Sequence, residues 1–195
     1  MSSASPATLP PDIVDYLRQL DEANRRATDI VSGLSNDQAS WQPDQGASWS
    51  VSQCLEHMAN ANRVYLEPLK LAAKKAGTGH TSYRAAGWFS RYFLRKTEPP
   101  PTTKIKAPRK IRPHSARPIN KLEALAQFLR YNHAVERFVV DTAALDLCGV
   151  RFKNPFIPGL NFTVATGLLI IAAHNRRHLW QAEQVVTIVS FPGKK

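Results

Sequence analysis

Residues 162–190, FTVATGLLIIAAHNRRHLWQAEQVVTIVS, decide the fold. Val164, Ile171, His178 and Val185 recur every seven residues, and Gly167, His174, Gln181 and Ile188 form a second row at the same spacing. Two such rows along one rod are the a and d positions of a helix packed into a bundle. The stretch holds no charge between Phe162 and Ala173, but Thr and Gly interrupt it and it is too short to span a bilayer.

Working outward, three more long helices are predicted. The first covers about Pro11 to Val31, with Pro10 and Pro11 suited to a first turn and Ile13, Leu17, Leu20, Ala23, Ala27 and Ile30 on one face. The second opens at the capping box formed by Ser50 and Gln53 and continues towards Ala76, with Pro68 expected to kink or interrupt it. The third begins near Asn120, with Glu123 as capping partner, and ends before Gly149. Residues 32–49 and 150–161 read as loops, and a short helix is expected at about Arg84 to Lys96. With no convincing strand, the expectation is an all-α fold, an antiparallel four-helix bundle forming a single domain over residues 1–195 with a flexible start at 1–10. Six prolines between Pro99 and Pro118 make residues 97–118 an extended basic, Pro-rich connection between the second and third helices, long enough to leave the topology open.

That connection also explains the charge. The chain carries a formal +11, from 26 Lys+Arg against 15 Asp+Glu. Residues 84–117 hold ten of those bases (Arg84, Arg91, Arg95, Lys96, Lys104, Lys106, Arg109, Lys110, Arg112 and Arg117) against Glu98 alone, so the body of the protein is nearly neutral. Two readings follow. The Arg stripe beside Trp88, Phe89, Tyr92 and Phe93 has the make-up of an interfacial amphipathic segment able to meet an anionic surface. Alternatively the aromatics cap the bundle and the charges are a solvated loop, the reading the prolines favour. Prolines between the charges argue against a nucleic-acid partner read by a helix. Two cysteines, Cys54 and Cys148, make no disulfide framework and fit a reducing, cytoplasmic setting, and Met1 to Pro10 lack the pattern of a signal peptide.

His174 and His178 stand at i and i+4, so both rings emerge on one face a turn apart, the separation that two ligands of one ion require. His57 shares a face of the second helix with Cys54, Ala61 and Val64, and completes a three-histidine set if the second and fourth helices are neighbours. Three neutral imidazoles suit Zn²⁺, Ni²⁺ or Fe²⁺ and leave a position for water or substrate. Equally, each histidine can be a core residue bonded to a backbone carbonyl or to Gln181, since a buried imidazole needs some partner. Gln181, one turn beyond His178, either orients a ligand or simply satisfies the core. Cys54 reads as a small buried hydrophobe, Trp49 as packing at the start of the second helix rather than the mouth of a site, and Glu56 receives no role because neighbouring side chains on a helix diverge.

The block Leu34-Ser35, Trp41-x-Pro43, Gly46-x-x-Trp49-Ser50-Val51-x-Gln53-x-Leu55-x-His57, followed far downstream by Ala172-Ala173-His174-Asn175-Arg176-Arg177-His178-Leu179-x-Gln181-Ala182, resembles the DinB-like superfamily. That group includes YfiT-type metal hydrolases and bacillithiol-transferase-like enzymes. The resemblance implies a four-helix bundle holding one divalent metal on His57, His174 and His178. It further implies a metal-dependent thiol S-transferase, with a low-molecular-weight thiol as co-substrate, or a hydrolase, acting on a small-molecule substrate and forming a homodimer. Many similar sequences carry Glu between the two downstream histidines; here Asn175 stands there and cannot accept a proton. The competing expectation is a non-catalytic module that binds an anionic partner through residues 84–117.

Overall fold

The computed structural model describes residues 9–102, 106–114 and 119–193. Its long helices are α1 (Pro11–Ser32), α3 (Val51–Ala73), α5 (Lys121–Asp141) and α6 (Val164–Thr187); the shorter ones are α2 (Asn36–Ser40) and α4 (Gly87–Thr97). β1 (Arg151–Lys153) and β2 (Asn161–Thr163) pair antiparallel, with Phe152 opposite Phe162. No helix among the described residues is long and apolar enough to cross a membrane. Residues 1–8 of the expected flexible start, and Lys104 and Arg117 of the basic connection, lie outside the described residues.

Local differences from the sequence reading have identifiable causes. α2 stands in the expected loop because Ser35 and Gln38 form a second reciprocal capping box. α3 ends at Ala73 and runs through Pro68 without a break, since Leu66 and Leu69 on either side are buried in the core. α5 ends at Asp141, where the chain turns and Leu145 meets Thr78. At its start the Asn120 side chain takes the Leu122 N–H, and Glu123 accepts from Gln127 rather than closing a capping box. Part of the expected 150–161 loop is the β1–β2 hairpin, which buries Phe152 and Phe162 beneath α6.

The four long helices form a bundle in which α1 packs on α5 and α6, and α3 packs on the same two helices. Contacts along the pairs give their directions. Lys121 reaches the Val31 and Leu34 carbonyls while Asn132 reaches the Leu20 carbonyl, so α1 and α5 are antiparallel. His57 meets His174 while Leu69 meets Gly167, so α3 and α6 are antiparallel too. The bundle is therefore two antiparallel pairs side by side. Tyr16 bonds the Leu168 carbonyl and Arg26 bonds Glu183, which sets α1 and α6 parallel. α3 and α5 also run the same way, with Leu55 beside Ala124 and Phe128 in one cluster and Asn62 reaching Asn132 further along. Parallel neighbours oblige the chain to travel back the length of the bundle, and residues 74–120 make that journey.

One polar layer divides the core. Asn24, Asn62, Asn132 and Asn175, one from each long helix, are all buried. Asn132 is the node: its Nδ2 donates to the Leu20 carbonyl at 3.0 Å and to Asn24 Oδ1 at 2.8 Å. Its Oδ1 accepts from Asn175 at 3.0 Å and from Asn62 at 3.4 Å. On one side lies the apolar cluster around Tyr16, Leu69, Phe138 and Leu168; on the other lies that around Ala27, Met58, Phe128 and Leu179. A buried amide that meets all four helices fixes their register, because any slip leaves it unpaired.

Two substitutions test this packing. A Cβ at Gly167 would sit 2.7 Å from Leu69 Cδ2 and 2.7 Å from Phe152 Cε1. Gly167→Val is expected to lower stability by about 1–3 kcal/mol through overpacking. Asn132→Ala strands the amides of Asn62 and Asn175, while Asn24 keeps Glu136, and is expected to cost about 2–6 kcal/mol, at about 1–3 kcal/mol for each buried group left unsatisfied. Urea unfolding with an unchanged m-value measures both.

Candidate metal centre

His174 and His178 emerge from α6 and His57 from the facing α3, at the level of the asparagine layer. The structure brings all three together: one ligand nitrogen from each ring lies within 4.8 Å of the others. His57 Nε2 is 3.1 Å from His174 Nε2, and the His57 and His178 ring centroids are 4.4 Å apart. His57 and His178 are buried; His174 keeps partial exposure. The first helical row of α6 is buried throughout at Val164, Ile171, His178 and Val185. In the second row Gly167 is buried, but His174, Gln181 and Ile188 are half-exposed, so the cluster has an open side.

Both hydrogen bonds expected of core histidines are present, and they orient the rings rather than satisfy them. His57 Nδ1 donates to the Ile111 carbonyl at 2.7 Å, and His178 Nδ1 donates to Gln181 Oε1 at 2.9 Å. An acceptor on Nδ1 places the proton there and leaves Nε2 with a bare lone pair. With those tautomers His174 Nε2–H is placed to donate to His57 Nε2 at 3.1 Å, and His174 Nδ1 is left as a buried acceptor without a partner. The three-imidazole set fits a divalent ion of the zinc or nickel type.

Charge on the rings is suppressed. Burial pulls His57 down to about 4. His174 and His178 are held well below the usual histidine value, first by burial and then by the neighbouring rings. Neutral imidazole is the form that ligates a metal.

Trp49 packs at the start of α3 as expected, and it and Glu56 also do more than the sequence reading gave them. Trp49 is part of the site wall: its ring centroid lies 4.5 Å from that of His57 and 5.8 Å from that of His178. Glu56 has a role outside the cluster. It is buried, its Oε1 accepts the His114 N–H at 3.3 Å, and burial raises its pKa. Asn175 faces the asparagine layer, away from the histidines' open side. Cys54 is sealed against Val51, Ala182, Val185 and Phe191, and burial pushes its thiol up to about 12, so it keeps its proton.

Ile111 escaped the sequence reading. The basic connection is not wholly a solvated loop: Ile111, in a single-turn helix at Arg109–Ile111, is buried and holds His57, while His114 clips to Glu56. The available signal was one large aliphatic residue inside KAPRKIRP, a run with no other apolar anchor of that size. Further back, Arg177 donates to the Lys96 carbonyl at 2.9 Å and Arg176 pairs with Glu98, so the end of α4 is tied to the histidine-bearing turn.

The chain belongs to the DinB superfamily, whose sequence profile matches residues 19–182. Among solved structures it is similar to YfiT from Bacillus subtilis, described as "a probable metal-dependent hydrolase with an unusual four-helix bundle topology". The two share 13% identity and a TM-score of 0.57, over 95% of this chain and 93% of that one. No curated protein matches the chain.

The suppressed charge predicts acid sensitivity. Below about pH 6.5 the unfolded chain binds protons at these positions that the folded chain refuses, His57 down to about pH 4. Stability of the metal-free protein is therefore full above pH 6.5 and is lost as pH falls, by up to about 1.4 kcal/mol per pH unit for each ring. Urea unfolding between pH 7 and pH 5 should show this slope, and His57→Gln/His174→Gln/His178→Gln should flatten it.

Proposed function

We propose that the protein binds one divalent transition metal, zinc, nickel or iron, through His57, His174 and His178 and uses it in hydrolysis of a small-molecule substrate. One observation carries the reading: three uncharged imidazoles bring one ligand nitrogen each to within 4.8 Å of one another, two of them with Nδ1 committed to an acceptor. His174 is half-buried, which sets the cluster at the edge of the core, where a catalytic rather than a closed structural site belongs. The description of YfiT supports hydrolysis as the reaction class.

A divalent ion there would supply Lewis acidity, lowering the pKa of a water or thiol and polarising the electrophile. The protein's own residues do the rest. Ile111 O and Gln181 hold two rings at fixed tautomer and angle. Trp49 walls one side of the cluster. Asn175 accepts no proton, and Glu56 is occupied with the connection, so neither contributes a carboxylate base. The same arrangement accommodates a low-molecular-weight thiol as nucleophile, giving S-transfer in place of hydrolysis.

Protein purified without a histidine tag should carry, or take up on reconstitution, close to one equivalent of metal; less than about a tenth of an equivalent would overturn the reading. His178→Ala should abolish uptake, and Gln181→Ala should weaken it about 10–100-fold, as loss of an outer partner does. A panel of esters, amides and epoxides, run with and without added thiol, separates hydrolase from transferase. Turnover that survives chelation would count against both.

A further inference from the structure

α4 presents an outward stripe that the bundle does not use. Phe93 turns inward onto Phe162, and Phe89, itself 40% exposed, stacks on the same ring, with centroids 5.4 and 6.4 Å from it. Trp88, Arg91, Tyr92 and Arg95, at i, i+3, i+4 and i+7, all face outward. Trp88 is 73% exposed and Tyr92 46%, among the most exposed large side chains in the protein. Trp is among the side chains most buried on average, and an exposed Trp88 with an exposed Tyr92 one turn on marks a helix face built for contact.

Charge on this face, and on the connection that follows α4 in sequence, is uncompensated. On α1, Arg18, Arg25 and Arg26 each pair with a carboxylate. Among the described residues no ion pair involves Arg84, Arg91, Arg95, Lys106, Arg109, Lys110 or Arg112, all exposed, and Glu98, the one acid of the segment, is taken by Arg176. A second copy docking through the same stripe would set arginine against arginine, since a two-fold contact repeats the patch. A single-stranded nucleic acid asks for a groove that tracks its backbone, whereas α4 is a short rod on the outside of α6, with its exposed stripe free of Asn and Gln for base reading. Aromatic rings alternating with arginines on a convex helix suit a soft, planar, anionic surface, where the rings sit at headgroup depth and the guanidinium groups meet phosphate.

We infer that the outer face of α4 docks the protein onto anionic lipid bilayers, with Trp88 and Tyr92 entering the headgroup region and Arg91 and Arg95 contacting lipid phosphates. The inference is independent of the metal reading, because none of these side chains belongs to the histidine cluster.

Co-sedimentation of the full chain with large vesicles tests it. Vesicles of phosphatidylcholine with about a quarter phosphatidylglycerol should capture the protein, pure phosphatidylcholine vesicles should not, and about 0.5 M salt should reverse capture. Trp88→Ser and Arg91→Glu/Arg95→Glu should each weaken binding at least about tenfold, with helical content unchanged by circular dichroism. Failure to bind anionic vesicles, or binding that both variants leave intact, overturns the inference. So does a wild-type dimer that Trp88→Ser converts to monomer, or Trp88-dependent binding to an oligonucleotide that exceeds binding to the vesicles.

Discussion

Three imidazoles share one buried corner because none of them is charged. Any proton gained there would be poorly solvated and would repel its neighbours, so burial and mutual proximity push the same way. The result is a cluster that pairs His57 with His174 yet leaves His174 Nδ1 buried without a partner. Much of the surrounding structure follows from holding those rings in place: a backbone carbonyl from a distant segment, an amide one turn down the helix, and an indole closing the side.

The topology explains how a basic, proline-rich stretch came to touch the core. α3 and α5 are parallel neighbours, so the intervening chain must return along the bundle. Its path passes the histidine cluster, and Ile111 and His114 attach it to adjacent residues of α3. Proline suits the task, since it keeps the segment extended and removes N–H groups that would otherwise need partners. The connection is both a return path and a structural wall of the site.

Asn175, between the two histidines of α6, serves the core rather than the cluster. A carboxylate at this position, beside three rings poised for a cation, would add charge. The amide instead joins Asn132 and ties the histidine-bearing turn of α6 to the other three helices. Buried amides in a helical core stabilise less than apolar packing would, but they penalise every alternative register. That selectivity matters where ligand atoms from two helices must meet within a few ångströms.

Periodicity along residues 162–190 determined that the last helix is a bundle helix and that His174 and His178 share its inner face. Capping residues such as Ser50 with Gln53 determined where helices begin, because those bonds are local. The composition of residues 84–117 located the charge. Only the tertiary structure decided that α3 lies against α6, which brings His57 to the other two rings, and that Trp49, Ile111 and Glu56 matter. Those facts depend on which helices become neighbours and where a long connection is pinned, and no spacing along a chain encodes a contact made between Ile111 and a residue more than fifty positions away.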